Sequence, residues 1–178
     1  MGRLYRMVSS QIEVNLTVDH LPTPLLTTTV DPTWIDYNGH MNDAWYAHVF
    51  SRSVDRIMGA IGLDQDERTR ASLTIYTLTM TIHYLREVHA GETLSTTGRI
   101  LEHDGKRVRL WLTMRRGDVE IAALSEQTLL CVDQSGEKPR ATPFLPEQSA
   151  RIRAFHDADA HLPMPEQAGR GISLSRPA

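Results

Sequence analysis

Trp34-Ile35-Asp36-Tyr37-Asn38-Gly39-His40-Met41-Asn42-Asp43-Ala44-Trp45-Tyr46 compresses a carboxylate, a glycine turn, a histidine, an asparagine and an aromatic residue into one short run. The stretch after it has a helical pattern. From Ala44 to Ile61 the apolar residues Tyr46, Val49, Phe50, Ile57 and Ile61 share one side, and Trp45, Val54 and Met58 widen the arc. So wide an apolar surface predicts a helix buried on most of its circumference. Asn42 or Asp43 supplies the N-cap, and Gly62 ends the helix with Leu63 as its hydrophobic follower.

On either side of this helix the pattern is β. Leu25 to Val30 is a short threonine-rich strand stopped by Asp31-Pro32, and Asp64 to Arg70 reads as a charged loop. Tyr76, Leu78, Met80, Ile82 and Tyr84 then alternate with Thr77, Thr79, Thr81 and His83, the period of a strand with one buried face. Gly91 leads into Leu94, Thr96, Gly98 and Ile100. Asp104-Gly105 signals a tight hairpin, and Val108, Leu110, Leu112 and Met114 return. Gly117-Asp118 turns into Val119 to Val132. The expectation is an α+β fold in which an antiparallel meander, interrupted by one helix after its first strand, curls around that helix.

The last strand is apolar on both faces. Ile121, Ala123, Leu129 and Cys131 form one, and Ala122, Leu124, Leu130 and Val132 the other. One helix covers one face, so the second face predicts a homodimer or larger assembly such as a tetramer.

The 178 residues suit one folded domain over 25–135. Residues 1–24 read as a leader. Residues 136–178, rich in proline and glycine, read as an irregular extension with a short helix near Glu147 to Phe155. A net charge of −3 argues against a general nucleic-acid binder. No apolar run is long enough to span a membrane, and the single cysteine, Cys131, fits a reducing, cytoplasmic setting.

The start of a buried helix offers unpaired N–H groups and the positive end of the macrodipole. A thioester carbonyl held there gains stabilisation of its developing oxyanion. A carboxylate beside it attacks the carbonyl or takes a proton from water. Asp36 is the candidate for that carboxylate, and Asn42, His40 and Asp43 are further polar candidates in the same run.

The run Asp36-x-x-Gly39-His40-x-Asn42-x-x-x-Tyr46 resembles the signature that opens the helix of hotdog-fold acyl-CoA thioesterases, the 4-hydroxybenzoyl-CoA thioesterase-like group. The resemblance implies a curved antiparallel sheet wrapped around one long central helix. It also implies hydrolysis of a small acyl-CoA to free acid and coenzyme A, with no cofactor and with Asp36 as nucleophile or general base. Trp34 to Met41, Tyr84-Leu85-Arg86-Glu87 and His103-Asp104-Gly105-Lys106-Arg107 are closer still to the thioesterases of carnitine breakdown, the betainyl-CoA thioesterases. Those relatives carry Glu-Thr-His where this chain has Thr79-Met80-Thr81, so a carboxylate to face a cationic acyl group is expected to be absent, which counts against betaine as the acyl group and leaves the thioesterase reading intact.

Each candidate also has a plain structural role. Asp36 can close a turn, His40 can be a hydrogen-bonding histidine, Asn42 a cap, Asp43 a complement to the dipole and Tyr46 a core side chain. For substrate binding the candidates are Tyr46 as pocket wall, Thr79, Thr81 and His83 along the acyl group, and Lys106 and Arg107 for coenzyme A phosphates. Arg109, Arg115 and Arg116 are also available for the phosphates. The eight histidines are scattered and Cys131 has no partner, so no metal site is expected. An enoyl-CoA hydratase or dehydratase on the same fold, and a non-catalytic acyl-CoA-binding module, are the alternative functions.

Overall fold

In the computed structural model, which describes residues 21–117 and 119–172, the buried helix α1 spans Asp43–Ala60. The Asn42 side chain accepts from Ala44 N–H and caps its start. At the other end Gly62 takes a positive φ of 81°, and Leu63, fully buried, returns its N–H to Met58 O. Val49 and Phe50 have no exposed surface. Burying a helix this fully stabilises the domain by roughly 1.5–3 kcal/mol for each large apolar side chain.

The strands are β1 (Leu26–Thr29), β2 (Leu73–Tyr84), β3 (Thr93–His103), β4 (Arg107–Arg116), β5 (Glu120–Asp133) and β6 (Arg140–Ala141). The main sheet has the order β1-β3-β4-β5-β2 and is antiparallel throughout. A simple meander is therefore not what forms. Only β3-β4-β5 is one, and β2 lies on the far side of β5. The segment from Leu85 to Glu92 carries the chain past the start of α1, where Met41 N–H donates to Val88 O. In exchange β5, apolar on both faces, gains a strand along each edge.

Sheet and helix meet closely at Gly98. A Cβ there would lie 2.8 Å from Leu25 Cδ1, 3.0 Å from Leu112 Cδ2 and 3.5 Å from Ile57 Cδ1. Ser53 of α1 and Thr96 of β3 share a buried hydroxyl–hydroxyl hydrogen bond of 2.8 Å, which fixes the helix on the sheet.

Two bulges shift the side-chain pattern away from simple alternation. The register of β2 slips between Thr77 and Thr79. Ile75 and Ile82 both pack on the core, whereas Tyr76 and Leu78 are exposed. Opposite Met114 and Arg115 the register of β5 slips at Ala122. Ala122 accordingly joins the main core, and Ile121 packs with Leu101, Trp111 and Leu124 on the other face.

Two further segments differ from the expectation, and the short helix expected near Glu147 to Phe155 is present and slightly longer. Asp64 to Arg70 is not a loop, because α2 spans Gln65–Ala71. Asp64 caps it by accepting from Glu67 N–H, Glu67 pairs with Arg70, and Ser72 stops it in the left-handed region. At the β3–β4 hairpin the chain reverses around Gly105-Lys106, with Asp104 accepting from the N–H groups of Lys106 and Arg107. In the extension, α3 (Pro146–Ala158) buries Ile152 and Phe155 in the main core.

Beyond α3 the chain crosses to the outer face of the sheet. Arg99 donates to the carbonyls of Asp159, Leu162 and Pro163, Gly169 N–H donates to Glu126, and Ala168 packs on the Leu101–Trp111–Leu124 cluster. Part of the second apolar face is thus covered by this chain itself. Of the leader, residues 1–20 lie outside the described residues, while Leu21 belongs to the main core.

Candidate active site

Asp36 sits in a tight reversal built from backbone hydrogen bonds. Ile35 bridges Met41, Asp36 N–H donates to His40 O at 3.0 Å, and Gly39, with φ at 87°, donates back to Asp36 O. Paired residues of an antiparallel bridge point to one face. Asp36 and His40 therefore stand side by side, on the face away from Ile35 and the buried Met41. Asp36 Oδ1 accepts from Asn38 N–H at 2.7 Å, which holds the carboxylate against its own turn.

The reversal is pinned to the helix. Asn42 N–H donates to Trp34 O, and the Trp34 ring stacks on Trp45 with centroids 4.8 Å apart and His48 set edge-on to both. Of the donors in the first turn, Ala44 N–H is held by the side chains of Asn42 and Asp43, and Trp45 N–H returns to Asn42 O. Asp43 N–H has no partner among the described residues.

A cleft of about 520 Å³ opens over these groups. One wall is Asp36, Tyr37, His40 and Asp43; the other is Tyr46 and the run Tyr84-Leu85-Arg86-Glu87. The bulged Ala122 holds that run by accepting from both Leu85 and Arg86 N–H. Tyr46 donates to Arg86 O at 3.1 Å, and its ring meets Tyr84 edge-to-face at 5.1 Å. Burial, reinforced by Tyr84 and by the charges of Glu87 and Glu92, pushes the Tyr46 phenol up to about 12, so it remains neutral. Burial and then the Asp43 charge raise Tyr84 as well. His40 Nε2 lies 3.6 Å from Glu87 Oε1. A larger groove of about 640 Å³ between α2 and α3 contains none of the motif residues.

The structure thus brings Asp36, His40, Asn42, Asp43 and Tyr46 to one place. Other candidates lie elsewhere in the chain. Thr79, Thr81 and His83 are opposite Thr128, Glu126 and Leu124, on the outer face of the sheet. Lys106 and Arg107 occupy the hairpin at the far end of β4 from Arg116, about 30 Å away along the strand. Arg107 is paired there with Asp104. Near the cleft the cations are Arg86 and Arg116, both bonded to Glu120. Tyr84 and Glu87 are held at the cleft by the bonds to Ala122 O, by Tyr46 on Arg86 O and by Met41 N–H on Val88 O, pairings with no local sequence signal.

A curled antiparallel sheet around one long helix, with an acidic cleft where that helix begins, is the hotdog fold. The profile of the Thioesterase-like superfamily matches residues 30–152, and the chain belongs to that family. It is 40% identical to the betainyl-CoA thioesterase of Pseudomonas aeruginosa over 148 residues, 83% of this chain and 92% of that one. It is 35% identical to the L-carnitine dehydrogenase/betainyl-CoA thioesterase of a Rhizobium species, of which it spans only 31%. Among solved structures it is similar to a Staphylococcus aureus protein in complex with CoA, with a TM-score of 0.78, 31% identity and coverage of 84% and 94% of the two chains. A putative thioesterase of Pseudomonas putida KT2440 aligns with a TM-score of 0.72, 32% identity and coverage of 86% and 97%.

Proposed function

We propose that this chain hydrolyses a small acyl-CoA thioester to the free acid and coenzyme A, with Asp36 as the reactive carboxylate. The observation that carries the proposal is the position of Asp36, opposite His40 at the mouth of the cleft where α1 begins. With the thioester carbonyl near Asp43 N–H, that donor and the helix dipole stabilise the oxyanion. Asp36 then acts by one of two routes. As general base it takes a proton from water as the hydroxyl adds to the carbonyl carbon. As nucleophile it forms an anhydride that water cleaves. In both, the C–S bond breaks, coenzyme A leaves as a thiolate and takes up a proton, and one water is consumed. The two named relatives act on betainyl-CoA, which makes that thioester the first substrate to try.

The free edge of β2 ends at this cleft, with Tyr76 and Leu78 exposed along it. Unpaired N–H and C=O groups beside apolar side chains suit pairing with another strand, and we infer a homodimer, or a tetramer built from dimers, through this edge. Chemistry on coenzyme A esters and an unpaired, buried Cys131 both suit the cytoplasm.

The test is release of free thiol from a panel of acyl-CoAs. Wild type should turn over at least one, and Asp36→Asn and Asp36→Ala should lose about 100-fold or more. Full activity in Asp36→Asn refutes the assignment, and hydration of enoyl-CoA without thiol release refutes the reaction. A mass from light scattering checks the assembly.

A further inference from the structure

The cleft carries more negative charge than hydrolysis requires. Asp36, Asp43 and Glu87 all line it, and among its described lining residues Arg86 is the one arginine or lysine, with the His40 ring close by. That guanidinium is already occupied, since it donates to its neighbour's carbonyl, Leu85 O, at 2.7 Å and to Glu120 at 3.1 Å. Arg116, the other nearby cation, is bonded to Glu120 and lies 3.6 Å from Glu92. It reaches Glu87 only at the backbone carbonyl. The Glu87 carboxylate, 68% exposed, has the His40 ring 3.6 Å away, beyond hydrogen-bonding reach. Its place is nonetheless fixed, because Arg116 holds its carbonyl and Met41 N–H holds that of Val88, the next residue.

Beside Glu87 stands an aromatic pair of suitable chemistry. Tyr46 is buried and Tyr84 is half exposed, the two set edge-to-face. The Glu87 charge acts on Tyr46, and the Asp43 charge on Tyr84. A quaternary ammonium has no hydrogen to donate, so it is recognised by aromatic faces and by a carboxylate that approaches without a hydrogen bond. A carboxylate that accepts no hydrogen bond among the described residues, beside a half-exposed tyrosine, fits that requirement. A neutral acyl group would gain only contact with the rings from this wall, and an anionic one would be repelled.

We propose that Glu87, beside Tyr84 and Tyr46, is the specificity-determining residue of this enzyme and selects a cationic acyl group. The assignment rests on the thioesterase reading of the same cleft. It replaces the outer-face positions Thr79 and Thr81, which the sheet separates from the cleft. Glu87 acts through the field it sets up at the acyl group, whereas Asp36 acts on the carbonyl.

The test compares two thioesters of the same shape. Betainyl-CoA carries a trimethylammonium group, and 3,3-dimethylbutanoyl-CoA carries a tert-butyl group in its place. The quantity read is the ratio of their kcat/KM values. Wild type should favour betainyl-CoA by about tenfold or more, and raised ionic strength should shrink the ratio because Glu87 is exposed. Glu87→Gln should reduce the ratio about tenfold, with the larger loss on betainyl-CoA, and Glu87→Asp should restore part of it. Glu102→Gln removes the same charge at the far end of the sheet and should leave the ratio as in wild type. A wild type that does not discriminate, or a Glu87→Gln enzyme that loses both substrates in equal proportion, overturns the assignment while the thioesterase reading stands. A wild type that releases thiol from no acyl-CoA overturns both.

Discussion

Gly98→Ala is a one-carbon test of how α1 is seated. The φ of this position lies outside the left-handed region, so the backbone accepts alanine. Alanine also removes freedom from the unfolded chain, which alone would stabilise by about 0.4–1 kcal/mol. Against this stand the three contacts at 2.8, 3.0 and 3.5 Å to Leu25, Leu112 and Ile57. Two are closer than carbon atoms ordinarily approach, and Leu25 and Leu112 are buried, with little room to retreat. Overpacking of this kind costs about 1–3 kcal/mol. The net expectation is a loss of about 1–2 kcal/mol. In urea that lowers the midpoint by roughly 0.5–1 M at unchanged slope. Leu25→Ala opens space beside the new methyl, so the double variant should lose less than the sum of the singles. A Gly98→Ala protein as stable as wild type, or more so, refutes the claim that helix and sheet are in contact at this point.

Two further outcomes concern the surface. The N–H of Lys106, the side chain of Arg107 and the N–H of Arg107 hold the Asp104 carboxyl at about 2, below its usual 3.8. A depressed carboxylate pKa gives stability that is present above 3.8 and is lost as pH falls toward 2. Asp104→Asn should therefore be less stable than wild type at pH 7, and urea midpoints of the two should converge near pH 2; a gap that persists there refutes the linkage. Arg99→Ala removes three donors to the carbonyls of Asp159, Leu162 and Pro163 and should cost about 1–2 kcal/mol. Amide hydrogen exchange over residues 159–170 should accelerate first, and uniform acceleration through the whole chain would show that the segment is not an independently opening strap.

Local signals were legible in the sequence and non-local ones were not. The helix from Asp43 to Ala60 announces itself through its broad apolar arc, its Asn42 cap and its Gly62 stop, all within a few residues of each other. Asp36, His40, Asn42, Asp43 and Tyr46 are contiguous with that signal, so their meeting in one cleft comes from it. Glu87 is far from them in sequence and is brought to them by non-local bonds, Met41 N–H to Val88 O and Tyr46 to Arg86 O among them. The outer-face position of Thr79, Thr81 and His83 depends on which strand lies beside β2 and on where its register slips. Lys106 and Arg107 read as suited to phosphates because a hairpin end says nothing about which end of the sheet it occupies. The seven residues of α2 bury nothing, so no apolar stripe marks them, and the side-chain bonds of Asp64, Glu67 and Arg70 sustain the helix instead.

The slip at Leu78 makes β2 two short runs of opposite parity joined at a single residue. Deleting that residue would leave every hydrogen-bonding group of the strand a potential mate in β5 and yet turn Leu73 to Thr77 over, sending Ile75 outward and Tyr76 beneath the helix. Two homologous chains that differ by one residue here would look nearly identical on paper and would expose opposite sides of the same five residues.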